Sequence, residues 1–163
     1  MTDAAIASPH PGPSRLTVAR WLALLVPASL LGGALGSQYL GGLAPCEMCY
    51  WQRWPHGAAI VLAALAFVVP AHARALTILA AAAIAVSGAI GVYHAGVEAG
   101  IFEGLTACTA TGSGSLADIM ATPLVRCDQV QFSFLGISMA GWNAVLSLGA
   151  AIIISWLVWS DRS

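Results

Sequence analysis

ALTILAAAAIAVSGAIGVY, residues 75–93, is nineteen positions long and holds no charged side chain. A helix that crosses the hydrocarbon core of a bilayer needs about 20 mostly apolar residues, so this stretch reads as a membrane span. The rest of the chain follows from it. Residues 18–39, 50–69 and 138–159 have the same character, and the last of them is also free of charge. The composition agrees: of 163 residues, 59% are apolar and 8% charged, against roughly 25% charged in an ordinary water-soluble domain. We therefore expect an all-α membrane protein, a four-transmembrane-helix bundle in a single domain over 17–163, preceded by a flexible tail at 1–16 that holds three prolines. The six basic residues are all arginine and the net charge is −1, which excludes the basic stripe of a nucleic-acid binder and the polybasic anchor of a membrane-surface protein.

The polar residues mark the ends of the spans. Gln52, Arg53 and His56 lie in the first turns of the second span. A charge at a helix centre costs about 2.5–3.5 kcal/mol on insertion scales, so Arg53 belongs near a headgroup layer. Tyr50, Trp51 and Trp54 cluster there too, while Trp21, Tyr93, Trp156 and Trp159 stand at other span ends, as amphipathic rings do at an interface. Gly32 and Gly36 have the GxxxG spacing, and Ser87, Gly88 and Gly91 recur in the third span. We read both groups as close packing inside the bundle. Residues 70–74 form a tight connection and 40–49 a short loop. The connection 94–137 is long, with a Thr/Gly/Ser-rich stretch at 109–115 that reads as flexible and a short helix expected over 116–120, capped by Ser115 and ended by Pro123.

Orientation follows from arginine. Arg15, Arg20, Arg74 and Arg162 fall on one side, Arg53 and Arg126 on the other, which makes the first side cytoplasmic and puts both termini there. Residues 21–36 also have the length of a signal-peptide core, but the polar stretch before them is long for one. By parity all four cysteines, Cys46, Cys49, Cys108 and Cys127, lie in two loops outside the cytoplasm, on the oxidising side.

Two staples would be the plain explanation of four such cysteines, and four allow three pairings. A bridge between Cys108 and Cys127 would close a loop worth about 3 kcal/mol in the chain-entropy model. Cys46-Glu47-Met48-Cys49 makes a poor staple, because so small a loop is worth only about 2 kcal/mol before strain. Zinc would want a second close pair, and a c-type haem would want His after Cys49, where Tyr50 stands. Redox chemistry fits better, and no metal is expected. Cys49 falls at the N-terminus of a helix, which favours a thiolate. Arg53, four residues on, shares its helix face and could also hold an anionic oxygen of a bound ring. Alone, Arg53 would be read as a snorkelling interfacial arginine. His94 lies in the same layer, where a histidine without a role would serve as well, and Glu98 falls one turn after it to pair with it. Two dithiol pairs in series can relay electrons by thiolate attack on disulfide sulfur, and an aromatic-flanked site at the lipid surface suits a lipid-soluble quinone as acceptor.

These residues resemble a known family. Pro45-Cys46-Glu47-Met48-Cys49-Tyr50-Trp51-Gln52-Arg53-Trp54-Pro55 is similar to the PCxxCxxQRxP signature of the bacterial disulfide bond formation protein B (DsbB) family, and Tyr93-His94-Ala95-Gly96-Val97-Glu98 to its YHxGxE stretch. Cys127-Asp128 and Leu135-Gly136-Ile137-Ser138-Met139-Ala140-Gly141-Trp142-Asn143 resemble its last loop and fourth span. The resemblance covers roughly residues 20–159. It implies an inner-membrane disulfide:quinone oxidoreductase that reoxidises a periplasmic thioredoxin-like dithiol oxidase of the DsbA type, with ubiquinone or menaquinone as electron acceptor. It further implies that Cys49 engages the quinone beside Arg53, that Cys46 completes that pair, that the reduced partner attacks Cys108, and that Cys127 pairs with Cys108 and transiently bridges to Cys46. It sets His94 near the quinone. The long tail and the composition of the loop between Cys108 and Cys127 depart from the family pattern, which bears on the partner more than on the reaction. Two other readings compete: a non-enzymatic four-helix membrane protein with structural disulfides, and a four-span quinone reductase of the vitamin K epoxide reductase type. The second is disfavoured because its CxxC lies near the last spans, whereas here CxxC precedes the second.

Overall fold

Four helices form among the described residues, three of them from runs long and apolar enough to cross a membrane, where every backbone polar group must be satisfied within its own segment. A computed structural model describes residues 13–104 and 125–161. Its helices are α1 (Arg15–Tyr39), α2 (Glu47–Val68), α3 (Ala73–Glu98) and α4 (Met139–Ser160). The first twelve residues, the segment 105–124 that carries Cys108, the 109–115 stretch and the helix expected at 116–120, and Arg162 lie outside the described residues.

The helix starts have visible causes. Ser14 caps α1 by accepting from the Thr17 amide, so the helix begins at Arg15, inside the stretch read as tail. Ser138 caps α4 in the same way through the Gly141 amide. Pro70 opens a single 3-10 turn, Pro70–His72, that reverses the chain between α2 and α3. α3 runs to Glu98, five residues past the expected end at 93. His94 and Val97 are 3% exposed, so the last turn of α3 is a packed face of the protein and not a solvated loop. α1, the segment Pro70–Glu98 and α4 are long and apolar enough to cross a membrane. α2, with Gln52, Arg53 and His56 in its opening turns, is not among those three.

α3 packs on both α4 and α2, and α1 closes the bundle against α2 and α4. Seven of the ten buried residues of the main core cluster are alanine: Ala19, Ala23, Ala59, Ala63, Ala80, Ala81 and Ala151 surround Ile84, Ile154 and Val158. Lipid is as apolar as leucine, so close backbone approach drives helix association here. Gly88 and Gly91 supply it. A Cβ on Gly91 would lie 3.0 Å from the Ala140 carbonyl oxygen, and one on Gly88 would lie 2.8 Å from Leu148 Cγ. The packing expected at Gly32 and Gly36 is absent: neither has anything within 4 Å of an added Cβ. That GxxxG face is open among the described residues, because α1 turns other residues, Ala19, Ala23 and Pro27, inward.

The end of the bundle near Arg15 is tied by polar contacts. Arg15 donates to the Ser160 carbonyl, Arg74 to the Val158 carbonyl and to Asp161, and the Leu16 amide to Asp161. At the other end a hairpin precedes α4, with β1 (Ser133–Phe134) antiparallel to β2 (Ile137–Ser138). Its two-residue turn, Leu135 and Gly136, has φ of 52° and 78°. Two positive φ values match the right-handed twist of a tight hairpin, and the cost falls on Leu135, which carries a Cβ.

Candidate functional site

The site grows from the start of α2. Cys46 is its N-cap: the Sγ accepts from the Cys49 amide at 3.3 Å. Cys49 follows in the first turn, and its Sγ lies 2.9 Å from that of Cys46. A CxxC at a helix start thus brings both sulfurs together with no other element needed. Sharing one proton sets them apart. The hydrogen bond from Cys46 pushes the Cys49 thiol down, to which the Arg53 charge adds a smaller effect, and the same bond together with burial pushes Cys46 up. Cys46 is 2% exposed and Cys49 half-buried, so the more acidic sulfur is the more accessible one.

α3 supplies the next layer. His94 Nε2 lies 3.6 Å from Cys46 Sγ and 3.8 Å from Glu98 Oε1. The other ring nitrogen, Nδ1, is 2.9 Å from Gln52 Nε2, which also donates to the Met48 carbonyl. That carbonyl can only accept, so the Gln52 amide nitrogen faces it, His94 Nδ1 is an acceptor, and the proton sits on Nε2, toward the sulfur. Cys127 arrives from the last loop. It packs with Cys46, Met48 and Val97, its side chain bonds Cys46 and its backbone bonds His94. Beside it, Arg126 clamps Asp128 through two nitrogens and holds that carboxyl below its usual range. The structure therefore gathers Cys46, Cys49, Cys127 and His94, and Cys108 lies outside the described residues.

Arg53 is reached from α1. It donates to Gln38 Oε1 and to the Ala34 carbonyl, at 3.2 Å for the latter, and its guanidinium lies 5.1 Å from the Tyr50 ring centre. No carboxylate pairs with it among the described residues, and its Nε is buried without a partner there. Arg53, both CxxC cysteines and His94 line one cavity of about 320 Å³ whose walls include Leu30, Phe132 and Trp142. That is the lower end of the size range for small-molecule sites, apolar in its walls with a few polar groups.

Below the cysteines runs a polar network that the sequence did not disclose. Asn143 Nδ2 donates to Gln52 Oε1 at 2.7 Å and to the Ser87 carbonyl at 3.2 Å. Its Oδ1 is 2.9 Å from both His56 Nε2 and Ser147 Oγ, and Ser87 Oγ donates to the Gln52 carbonyl at 2.8 Å. The signal was spacing: 52 and 56 on α2, 143 and 147 on α4, are i,i+4 polar pairs in apolar helices, and polar groups at such depth must find one another. Cys46, Cys49 and His94 also bring one donor atom each within 4.8 Å of one another, a soft set that a thiophilic cation could bridge.

Comparison with known proteins places these residues in context. No solved structure matches the chain. An uncharacterized protein of Rickettsia prowazekii (strain Madrid E) is 24% identical over 141 residues, covering 82% of each chain. Disulfide bond formation protein B of Methylococcus capsulatus (strain ATCC 33009 / NCIMB 11132 / Bath) is 32% identical over 152 residues, covering 83% of this chain and 90% of that one. The family model described as Disulfide bond formation protein DsbB matches residues 16–157, which take in the CxxC, Arg53, His94, Cys127 and all but the ends of the helical bundle, and the chain belongs to the DsbB family.

Proposed function

We propose that this protein is a disulfide:quinone oxidoreductase of the bacterial inner membrane that reoxidises a periplasmic thioredoxin-like dithiol oxidase of the DsbA type. All four helices cross the bilayer as one domain from residue 17 onward, α2 included. Both termini and the tail are cytoplasmic, and the cysteine loops are periplasmic. The observation that carries the reading is the shared cavity: an acidified, half-buried Cys49 and an arginine with no carboxylate partner among the described residues line one pocket of largely apolar surface, while Cys127 rests against the other sulfur of the pair.

In this reading the partner dithiol reduces the Cys108–Cys127 disulfide, and Cys46–Cys49 reoxidises it by thiol–disulfide exchange. Each exchange forms one S–S bond and breaks another, so two electrons and two protons pass along the chain. A quinone, ubiquinone or menaquinone, supplies the two-electron acceptor and leaves as quinol. Within the protein, Cys49 offers the thiolate, and Arg53 directs positive charge at the acceptor's oxygen. His94 directs its Nε2 proton at Cys46, stabilising negative charge on that sulfur. The orphaned Nε of Arg53 and the apolar walls fit an uncharged ring bearing carbonyl oxygens.

The test is anaerobic. Purified protein in detergent is mixed with a reduced thioredoxin-like oxidase and a short-chain quinone, and quinone absorbance is followed beside free partner thiols. Loss of one quinone per two thiols is expected. Folded protein that consumes no quinone with several partners and quinones overturns the reading in favour of structural disulfides.

A further inference from the structure

His56 lines the same cavity as the cysteines but touches neither sulfur. It is 3% exposed, and its Nδ1 is buried with no partner among the described residues. A buried nitrogen left so is uncommon, because a hydrogen bond left unmade in an apolar setting is costly.

The protonation of this ring can be read from its neighbours. The Ser87 carbonyl can only accept, so the Asn143 group facing it is the amide nitrogen, and Asn143 Oδ1 faces His56 Nε2. Ser87 Oγ lies 3.0 Å from His56 Nε2, but its one proton is committed to the Gln52 carbonyl. Both neighbours of Nε2 therefore accept, and Nε2 carries the proton. No carboxylate contacts His56 among the described residues, so nothing there offsets the cost of burying a doubly protonated ring. The neutral tautomer leaves Nδ1 as a bare, buried lone pair on a ring that lines the cavity.

A quinone oxygen offers only lone pairs, whereas a quinol oxygen carries a proton. We propose that His56 Nδ1 is the acceptor for a hydroxyl of the reduced ring, so that this residue makes the cavity selective for the quinol form. The proposal rests on reading the cavity as the electron-acceptor site. Arg53 and His56 then divide the work by hydrogen-bond polarity: Arg53 donates to an oxygen in either form of the ring, and His56 accepts from the reduced form only. Favouring the reduced ring by a given factor favours its two-electron reduction in the site by the same factor.

The experiment measures binding, not turnover. The fully oxidised protein in detergent is titrated anaerobically with a short-chain ubiquinone, its quinol, and the quinol's dimethyl ether, which lacks both O–H donors. One neutral hydrogen bond at this depth corresponds to about a tenfold change in affinity. His56→Phe is expected to weaken quinol binding about tenfold while changing quinone binding less than twofold, a shift of about 30 mV in the bound two-electron couple. The ether is expected to bind wild type more weakly than the quinol does, and to lose that handicap in His56→Phe. His56→Gln, which restores an acceptor oxygen, recovers part of the quinol preference. Equal losses for quinone and quinol assign His56 to structure alone and overturn the proposal. Quinol and ether of equal affinity for wild type do so without any variant. Absence of binding by either ring form to wild type removes the acceptor site itself, and the proposal with it.

Discussion

Arg74 and Arg53 stand at opposite ends of antiparallel neighbours, near the starts of α3 and α2, and the bundle treats them differently. Arg74 bonds the Val158 carbonyl and Asp161, so its charge is met by a carboxylate and by the C-terminal end of α4. Arg53 is held by a side-chain amide and one carbonyl, faces an aromatic ring, and meets no carboxylate among the described residues. The first arrangement fixes two helix ends together. The second keeps a positive field directed at a cavity containing a thiolate-forming cysteine. Surplus charge in a membrane protein is costly and points to function, and on the proposed reading it separates an end built for holding from an end built for reaction.

The sharpest way to break this contrast is at the proposed nucleophile. Cys49→Ala is expected to lower quinone-linked turnover by on the order of a thousandfold or more, measured in the anaerobic assay, with the melting temperature unchanged within a few degrees. Retained turnover would move the chemistry away from the CxxC end altogether. Next is the arginine pair itself. Arg53→Gln removes charge-assisted hydrogen bonding of about 1.5–3 kcal/mol and should raise the quinone KM by about 10- to 100-fold. Arg74→Gln should leave KM alone and lower the melting temperature by about 2–4 °C, as expected for a partly exposed ion pair. Equal effects of the two on KM would erase the distinction.

The buried network gives a third measurement. Asn143→Leu leaves His56, Gln52, Ser87 and Ser147 short of partners, and about 2 kcal/mol of stability should be lost, seen as a melting shift of roughly 4–8 °C. The smallest effect concerns pH. A lowered thiol pKa means that the thiolate is already present at lower pH, so the alkylation rate of Cys49 in the reduced protein should reach half its plateau below the usual thiol value of about 8.5. The Cys46 hydrogen bond is the larger cause, so Cys46→Ala should move that midpoint up further than Arg53→Gln does. The reverse order would give Arg53 the leading part in activating the thiolate.

The positions of α1, α3 and α4 were legible because long apolar runs leave the backbone one solution in lipid, and that of α2 from a run behind polar opening turns. The clustering of Cys46, Cys49 and Arg53 was legible because it is local to the start of one helix. What escaped the sequence was long-range or conformational. The end of α3 was set too early because His94 and Glu98 look like loop residues until α2 and the last loop bury them. The hairpin before α4 turns on a leucine at positive φ, for which composition gives no signal. Asn143, Ser87 and His56 sit on three different helices, and only packing makes them one network. Gly32 and Gly36 erred the other way: their spacing promised contact, and the side of α1 that they occupy is open among the described residues.

The cap on α2 ties bond exchange to local order. Cys46 Sγ holds the Cys49 amide, and in the proposed exchange a shift of that sulfur toward Cys127 would loosen the hold. Each passage of electrons would then uncap the first turn of α2 and restore it afterwards. The amide proton of Cys49 becomes a spectator that reports the redox position of the pair, exchanging with solvent faster whenever its neighbour's sulfur is engaged elsewhere.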